Sequence, residues 1–428
     1  MIKIVHKVKA TELDYRGYGI TKDLGKVGFI KGLLPGEEAM IKITFEKRNF
    51  FEGEVVELLT KSNYRSNYQD DFDNNSLIHL DNLKQLEFQV NITVGTLLRN
   101  GISNFKTNDI ITDHNYYNYR NKALFFVRNN PYIELGGFRE KTRIFNKIDN
   151  LILAEPIINE ILKTLQEYYE TNKIYYHDLH AVMLRSNLKE VMVTFITRNK
   201  KIIPDILYEP LMDNQRVVSI YQNYQDQKHR NLGVENIIYR KNKFITDKIG
   251  KYKFLIYPNS FFQVNRGVTK LTYDYIKSLL DKDDIVIDAF AGMSSIGQYI
   301  SNNVSSVYSI EIDKESVKSA QESIQLNNVA NVEVIRGNFN KEFSKYHKRA
   351  NTIIIDPPRS GLMEEVTNLI NNSKLEKVIY LSCNLRTLVR DLKLFTNYEV
   401  VSVTPIKMFF QTVEMETLIY LRRKQDEK

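Results

Sequence analysis

Residues 284–313 read DIVIDAFAGMSSIGQYISNNVSSVYSIEID. A short apolar run, DIVIDAF, leads into a small-residue turn at Ala291 and Gly292. A helical stretch follows, and then a second apolar run, VYSIEID, that carries Glu311. Strand, turn, helix, strand is one parallel unit. Working outward, the alternation continues. KESVKSAQESIQLNN (314–328) has helical spacing. VEVIRGN (332–338), NTIIIDPP (351–358), KVIYLSC (377–383) and EVVSVTPI (399–406) read as further strands, with the helix NLRTLVRDLKLF (384–395) between two of them. This pattern predicts an α/β domain with a parallel, doubly wound, Rossmann-like sheet and ligands at the carboxyl ends of its strands.

Three motifs fall at those ends. In Asp288-Ala289-Phe290-Ala291-Gly292 the glycine lets backbone approach a ligand at the first strand–helix turn, and Glu311, 23 residues after Asp288, stands where a carboxylate can accept both hydroxyls of a ribose. An ordinary tight turn in an α/β domain would carry the same glycine. The position two after it is Ser294, so the G-x-G-x-x-G of a dinucleotide site is incomplete, and the loop suits a phosphate-free nucleoside such as S-adenosylmethionine better. Asp356-Pro357-Pro358-Arg359 is the second motif. Two prolines end a strand's ladder and stiffen the loop, because neither has an N–H and each fixes φ. The third is Cys383, the only cysteine of the chain. A lone cytosolic cysteine is usually a buried, inert side chain. Here it closes a strand on the ligand side, and the helix starting near Arg386 is expected to lower its pKa and favour thiolate.

The rest of the chain organises around this domain. Residues 1–62 hold KIVHKVKATELD, GKVGFIKG, EAMIKITFEK and FFEGEVVELL, separated by Gly17, Gly19 and Pro35-Gly36. Short, closely spaced strands of this kind predict a small OB-like β-barrel. NYRSNYQDDFDNNSLIHL (63–80) reads as a polar linker and QLEFQVNITVGTLLRN (85–100) as a helix. From 119 to 250 the chain reads as α+β. FFVRNN is a strand, AVMLRSNLKEVMVTFIT (181–197) a hairpin turning at Ser186-Asn187, and PIINEILKTLQEYYE (156–170) a helix opened by proline. The expected division is 1–62, 63–250 and 251–428, with part of 85–118 packing on the last.

Composition narrows the class. A chain of 428 residues with 43% hydrophobic and 26% charged residues has material for two or three folded domains and is not wholly disordered. One cysteine excludes an intrachain disulfide and any all-cysteine metal or iron–sulfur site within the chain. No apolar run reaches the ~18 residues of a membrane helix, and MIKIVHKVKATELD has no apolar core of a signal peptide. A cytoplasmic location without membrane association is therefore expected. The net charge of +8 permits an RNA partner but is too mild to demand one.

Taken together, SFFQVN (260–265), DAFAG, IEID, DPPRSGL (356–362), YLSCNLRTLVRDL (380–392) and MFFQTVEMETLIYL (408–421) closely resemble the RNA 5-methyluridine methyltransferases. YRNKALFFV (119–127) and VVSIYQN (217–223) match family positions upstream, and residues 14–43 resemble the TRAM module, a small RNA-binding barrel. The resemblance implies S-adenosylmethionine as cofactor and a uridine of ribosomal or transfer RNA as substrate. Uracil C5 is too poor a nucleophile to take a methyl group directly. A thiolate adding to C6 makes C5 nucleophilic, and a base must later remove the C5 proton so that the thiol leaves. The resemblance assigns the nucleophile to Cys383 and the base to Glu416, where the bland reading is an exposed strand residue. It assigns cofactor contacts to Gln263, Phe290, Glu311, Asp356 and Asn338, with Gln263 and Asp356 also placed to touch the uracil edge. The target base must leave its stack, so flipping or an unfolded loop is expected.

Three departures stand out. The four cysteines that bind an iron–sulfur cluster in many family members are missing near YQDDFDNNSLIHL, so no cluster and no metal is expected. Ser294 replaces the second glycine of the cofactor turn. Leu385 stands where proline, and Glu414 where histidine, is common in the family. The TRAM resemblance favours 23S ribosomal RNA, with transfer RNA second and a monomer as the working form. A non-catalytic RNA-binding protein of this fold is the alternative from another class, and a small-molecule methyltransferase a third. The presence of both Cys383 and Glu416 argues against the former, and the N-terminal barrel and basic balance against the latter.

Overall fold

The computed structural model describes residues 5–68, 75–139, 142–225, 231–240 and 242–425. Its C-terminal part is an eight-stranded sheet in the order Val332–Arg336, Ser306–Glu311, Ile285–Ala289, Thr352–Ile355, Lys377–Ser382, Glu416–Arg423, Tyr398–Ile406 and Lys106–Thr107. Ile285–Ala289 lies between Ser306–Glu311 and Thr352–Ile355, so the strand order reverses there and opens a crevice at the carboxyl ends. Ile353, Ile354, Ile355, Val378, Ile379 and Tyr380 are fully buried. Such unbroken apolar runs are what a sheet covered on both faces requires.

The sheet is not wholly parallel, which corrects the sequence expectation. Glu416–Arg423 runs antiparallel and inserts between Lys377–Ser382 and Tyr398–Ile406. The connection 407–415 is too short for a parallel crossover, which takes about a dozen residues or more, so the last two strands form a hairpin. Its consequence is chemical. The amino end of the last strand, Glu416, falls at the same end of the sheet as the carboxyl ends of the parallel strands.

The N-terminal sheet has the order His6–Lys9, Glu38–Glu46, Phe50–Leu58, Val27–Lys31, Gly19–Thr21, Glu12–Leu13. Its first and last strands are successive pieces of one stretch, so the sheet closes on itself around Val8, Ile30, Ile41 and Phe51. Gly28 is required there, since a Cβ would lie 2.2 Å from the Phe51 ring. Between the two, a seven-stranded sheet runs Phe145–Lys147, Ile133–Phe138, Lys122–Asn129, Leu179–Ser186, Val191–Thr197, Val217–Tyr224, Glu235–Ile238. Helix Pro156–Thr171 covers one face of it through Ile158, Ile161, Leu162 and Leu165. The hairpin of its central strands turns at 187–190, where Asn187 N–H donates to the Glu190 carbonyl at 3.1 Å.

Three connections differ from a simple string of units. Of the expected linker 63–80, residues 69–74 lie outside the described residues. The rest is packed, with Leu77, Ile78 and Leu80 at most 4% exposed and Arg65 paired to the buried Glu37 at 2.6 Å. Its polar composition hid three apolar anchors. Helix Asn82–Arg99, capped by Asp81, sends Leu97 into the core beneath Ile353 and Ile355, and Lys106–Thr107 adds an edge strand to the same sheet. The hairpin Ile245–Ile249 with Tyr252–Ile256 spans residue 250, and both strands join the core of Val268, Ile276 and Ile296.

Candidate active site

The nucleoside end is built on the turn after Ile285–Ala289. Phe290, Gly292 and Ser294 all take left-handed backbone, with φ of 58°, 54° and 55°. The strain of a non-glycine there, of order 1–2 kcal/mol, is offset at Ser294 by its hydroxyl, 2.7 Å from that of Ser309. Ser309 in turn donates to Asp288 at 3.0 Å, and Gly297 N–H donates to the same carboxyl oxygen at 3.1 Å. Burial nevertheless pushes Asp288 up to about 7, because two partners do not replace full hydration. So the serine that replaces a glycine does adopt the glycine-like conformation, tied down from below.

Gly292 N–H donates to Glu311 Oε2 at 2.8 Å, while Ile312 and Asp313 N–H groups both reach Oε1 at 2.7 Å. The carboxylate is thus pinned at the mouth of the crevice, with lone-pair capacity left for a hydroxyl. A Cβ at Gly292 would meet nothing within 4 Å, so that side of the turn is open. Phe290 stacks on Phe339 with centroids 5.1 Å apart, and Asn338, exposed, caps helix Phe339–Tyr346 by accepting from Asn340 N–H at 3.1 Å. An open glycine turn, a fixed carboxylate, an aromatic wall and an amide fit the nucleoside half of S-adenosylmethionine.

The other end of the crevice is made by the antiparallel insertion. Ser382 pairs with Thr417 at the last rung of that ladder. Cys383 and Glu416 are the next residues beyond it, and the Glu416 carboxylate acts electrostatically on the thiol. Asn384 anchors the cysteine loop. Its Nδ2 donates to the Arg359 carbonyl at 3.1 Å and its Oδ1 accepts from Arg386 N–H at 3.0 Å. The Arg359 side chain reaches the Cys383 thiol and pairs with Glu414 at 2.5 Å. Glu416 is 6% exposed, and its Oε2 is buried without a hydrogen-bond partner. Burial, then Asp356 and Glu414, push it up to about 8 against the pull of Arg359. Asp356 is pushed up to about 7 by burial and by Asp288.

Cys383 corrects a sequence expectation. Burial raises its thiol pKa, and Glu416 and Asp356 add to the rise, while Arg359 opposes it. The helix that should have lowered it begins at Leu385, and Asn384 caps it through Arg386 N–H. Two acidic neighbours in a desolvated pocket outweigh a capped helix end. The free protein therefore holds the thiol protonated, beside carboxyls that ionise at nearly neutral pH and an arginine able to stabilise a thiolate.

Gln263, 8% exposed, is held through its backbone. Asn121 Nδ2 donates to its carbonyl at 2.9 Å, and Asn121 N–H to that of Val264 at 3.1 Å. Asn265 Nδ2 donates to the Met408 carbonyl at 3.1 Å. The loop 407–415 is clamped by Gln89 to the Ile406 carbonyl at 2.6 Å, by Gln85 to Gln411, and by the Tyr119 hydroxyl to the Phe410 carbonyl at 2.8 Å. The structure thus gathers Cys383, Glu416, Asp356 and Arg359 at one end, and Phe290, Glu311 and Asn338 at the other, while Gln263 lies on the segment that Asn121 holds. Sequence reasoning missed Arg359, present in a quoted motif but given no role, and the two glutamines. Polar residues on an amphipathic helix read as a solvated face, and only the loop carbonyls they serve identify them.

The tRNA (uracil-5-)-methyltransferase family model matches residues 84–424, and the TRAM domain model matches residues 5–56. An uncharacterized RNA methyltransferase of Fusobacterium nucleatum is 30% identical, with 99% of this chain and 97% of the other covered. One from Bacillus cereus is 33% identical over 96% of this chain and 95% of its own. The Pyrococcus abyssi tRNA (uracil-54, C5)-methyltransferase, solved with S-adenosyl-L-homocysteine, shares the fold at a TM-score of 0.80 and 24% identity, covering 97% and 99%. No helix among the described residues is long and apolar enough to cross a membrane. The chain belongs to the tRNA (uracil-5-)-methyltransferase family, S-adenosylmethionine-dependent enzymes that methylate RNA uracil at C5.

Proposed function

We propose that this enzyme works through a covalent adduct between Cys383 and C6 of the target uridine, with Glu416 as the base that resolves it. The observation that carries the proposal is that Cys383, just past the end of the ladder, lies within electrostatic reach of a buried carboxyl with one oxygen unpartnered. Bound S-adenosylmethionine supplies the methyl group, held by Phe290, Glu311 and Asn338 at the nucleoside end and by Gln263 and Asp356 toward the reacting atoms. The Cys383 thiol gives its proton to solvent, the thiolate adds to C6 with the guanidinium of Arg359 beside the sulfur, and the C5–C6 electron pair moves to C5. C5 takes the methyl group that S-adenosylmethionine would supply, and S-adenosylhomocysteine is left. Glu416 as carboxylate removes the C5 proton, the pair left behind restores the C5–C6 double bond, and the C6–S bond breaks to return the thiolate, which solvent reprotonates. A carboxyl poised near 8 suits that step, since its proton affinity is matched to neutral working pH. Gln263 and Asp356 bind the uracil edge.

The substrate we favour is 23S ribosomal RNA, supported by the N-terminal barrel. A transfer-RNA uridine is the second reading, favoured by the Pyrococcus abyssi enzyme, which aligns over 97% of this chain. We further propose a monomer acting in the cytoplasm. Its units are 1–62, 63–250 and 251–428, with helix Asn82–Arg99 and strand Lys106–Thr107 joined to the last. Incubation with 5-fluorouridine RNA and S-adenosylmethionine tests the mechanism, because fluorine at C5 cannot leave as a proton. A denaturing gel should show a protein–RNA adduct that Cys383→Ala abolishes. An equal adduct from Cys383→Ala, or none with either RNA, overturns the mechanism. Mapping 5-methyluridine in both RNAs of a deletion strain separates the two substrates.

A further inference from the structure

The middle sheet carries a polar cluster that the reaction does not use. Lys122 pairs directly opposite Arg185 across two antiparallel strands. Their neighbours Ala123, Phe125, Val182 and Leu184 pack toward helix Pro156–Thr171. Lys122 and Arg185 therefore share the other face, since side chains alternate along a strand. Arg185 is only 3% exposed, yet its Nε and Nη1 are buried without hydrogen-bond partners. Thr194, on the same face, has a buried hydroxyl in the same condition. Lys122, half-buried, has neither a hydrogen bond nor an ion pair among the described residues.

The charges around the pair do not neutralise it. Asp247, the carboxylate that acts on Arg185, is already bound by Arg266 through Nε at 2.7 and 2.8 Å and through Nη2 at 2.7 Å. Glu155 is likewise taken by Arg266 and Ser186. Two cations side by side in a desolvated place oppose folding, because each loses hydration and repels the other. Burial, and then Arg185, push the Lys122 amine down to about 7, while burial opposed by Asp247 pushes the Arg185 guanidinium down to about 10. Two buried guanidinium donors without partners are a standing demand for an anion. The pair's strand is tied to the segment that carries Gln263, since Asn121, the residue before Lys122, bonds the Gln263 and Val264 backbone.

We propose that Lys122 and Arg185 form a phosphate subsite that receives a backbone phosphodiester of the RNA next to the target uridine. A planar guanidinium and a compact ammonium side by side on one sheet face are the donor set for a phosphate's oxygens. The subsite rests on the RNA reading above. Its role is to fix the RNA strand beside the flipped base.

The test uses the full chain and a uridine-containing RNA fragment, with affinity measured across a salt series. Lys122→Gln and Arg185→Met should each weaken RNA binding about tenfold or more, and each should lower the slope of log affinity against log salt by about one. S-adenosylmethionine affinity, measured by calorimetry, should not change. Inorganic phosphate, against chloride at equal ionic strength, should raise the melting temperature of the wild type more than that of the double variant. Should Arg185→Met fail to fold, Lys122→Gln at its half-exposed position carries the test alone. Unchanged RNA affinity and salt slope in Lys122→Gln overturn the proposal. Phosphate protection without any change in RNA binding also overturns it, by assigning the site to free phosphate. If the wild type itself neither binds RNA nor forms the 5-fluorouridine adduct, the RNA reading fails instead, and the two failures are distinct.

Discussion

Replacing Glu416 by glutamine removes one titration from the buried pocket and leaves the shape nearly unchanged. The carboxyl sits at about 8 in the fold against 4.5 for a free one. A group raised in this way stabilises the fold fully below the unfolded value, and that contribution is lost as pH rises through the folded value. Glutamine has no such dependence. The stability of Glu416→Gln minus that of the wild type should therefore increase from about pH 4.5 to about pH 8 and stay level above. At about 1.4 kcal/mol per tenfold in proton affinity, the upper limit is on the order of 5 kcal/mol. Water entry and relaxation around the ionised carboxylate would halve this to about 2–3 kcal/mol. Asp288 and Asp356, both near 7, titrate in both proteins and largely cancel. For a melting unit the size of the catalytic domain the gain is roughly 5 °C or more. Thermal melting of both proteins from pH 5 to pH 9 measures it. Parallel curves across that range would refute the burial argument, because they would mean that Glu416 titrates as a solvated carboxyl.

Arg359→Gln should raise the pH at which Cys383 reacts with iodoacetamide, since the guanidinium is what opposes the rise of its pKa. An unchanged alkylation profile would count against the Arg359–thiol contact. Gln85→Leu leaves the Leu77 and Leu80 carbonyls and the Gln411 side chain without their donor. It should cost about 1–3 kcal/mol by urea denaturation, with a fall in activity from the loosened 407–415 loop. Gly28→Ala drives a methyl into the Phe51 ring at 2.2 Å. It should destabilise the barrel by about 1–3 kcal/mol, read as early proteolysis within residues 5–56 while the rest of the chain resists.

Much of the fold was legible because it is encoded in local periodicity. The apolar runs ending at Phe290, Glu311, Asp356 and Cys383 lie at the ends of adjacent strands, since a parallel α/β sheet needs an apolar strand and a helix in strict alternation. The stretch 63–80 was misread as a linker because three buried leucine and isoleucine side chains are outnumbered there by polar neighbours. The antiparallel course of the last strand was not legible for a different reason. Apolar pattern marks a strand but carries no sign for its direction, and only the short 407–415 connection holds that information.

The sequence by itself determined the family, the strand–helix order and the identity of the only thiol, all of which reside in short contiguous motifs. Tertiary structure alone decided what surrounds that thiol. The antiparallel insertion brings Glu416 to the end of the ladder that Cys383 follows, within electrostatic reach of the thiol, and Asp356 and Arg359 arrive from another strand's end. Their burial and opposing charges raise the thiol pKa where the nearby helix had suggested a fall. The same holds for Lys122 and Arg185, unremarkable apart and an unneutralised pair once the sheet forms. Proton affinity depends on desolvation and on charges a few ångströms away in space, and those neighbours are tens to hundreds of residues away along the chain.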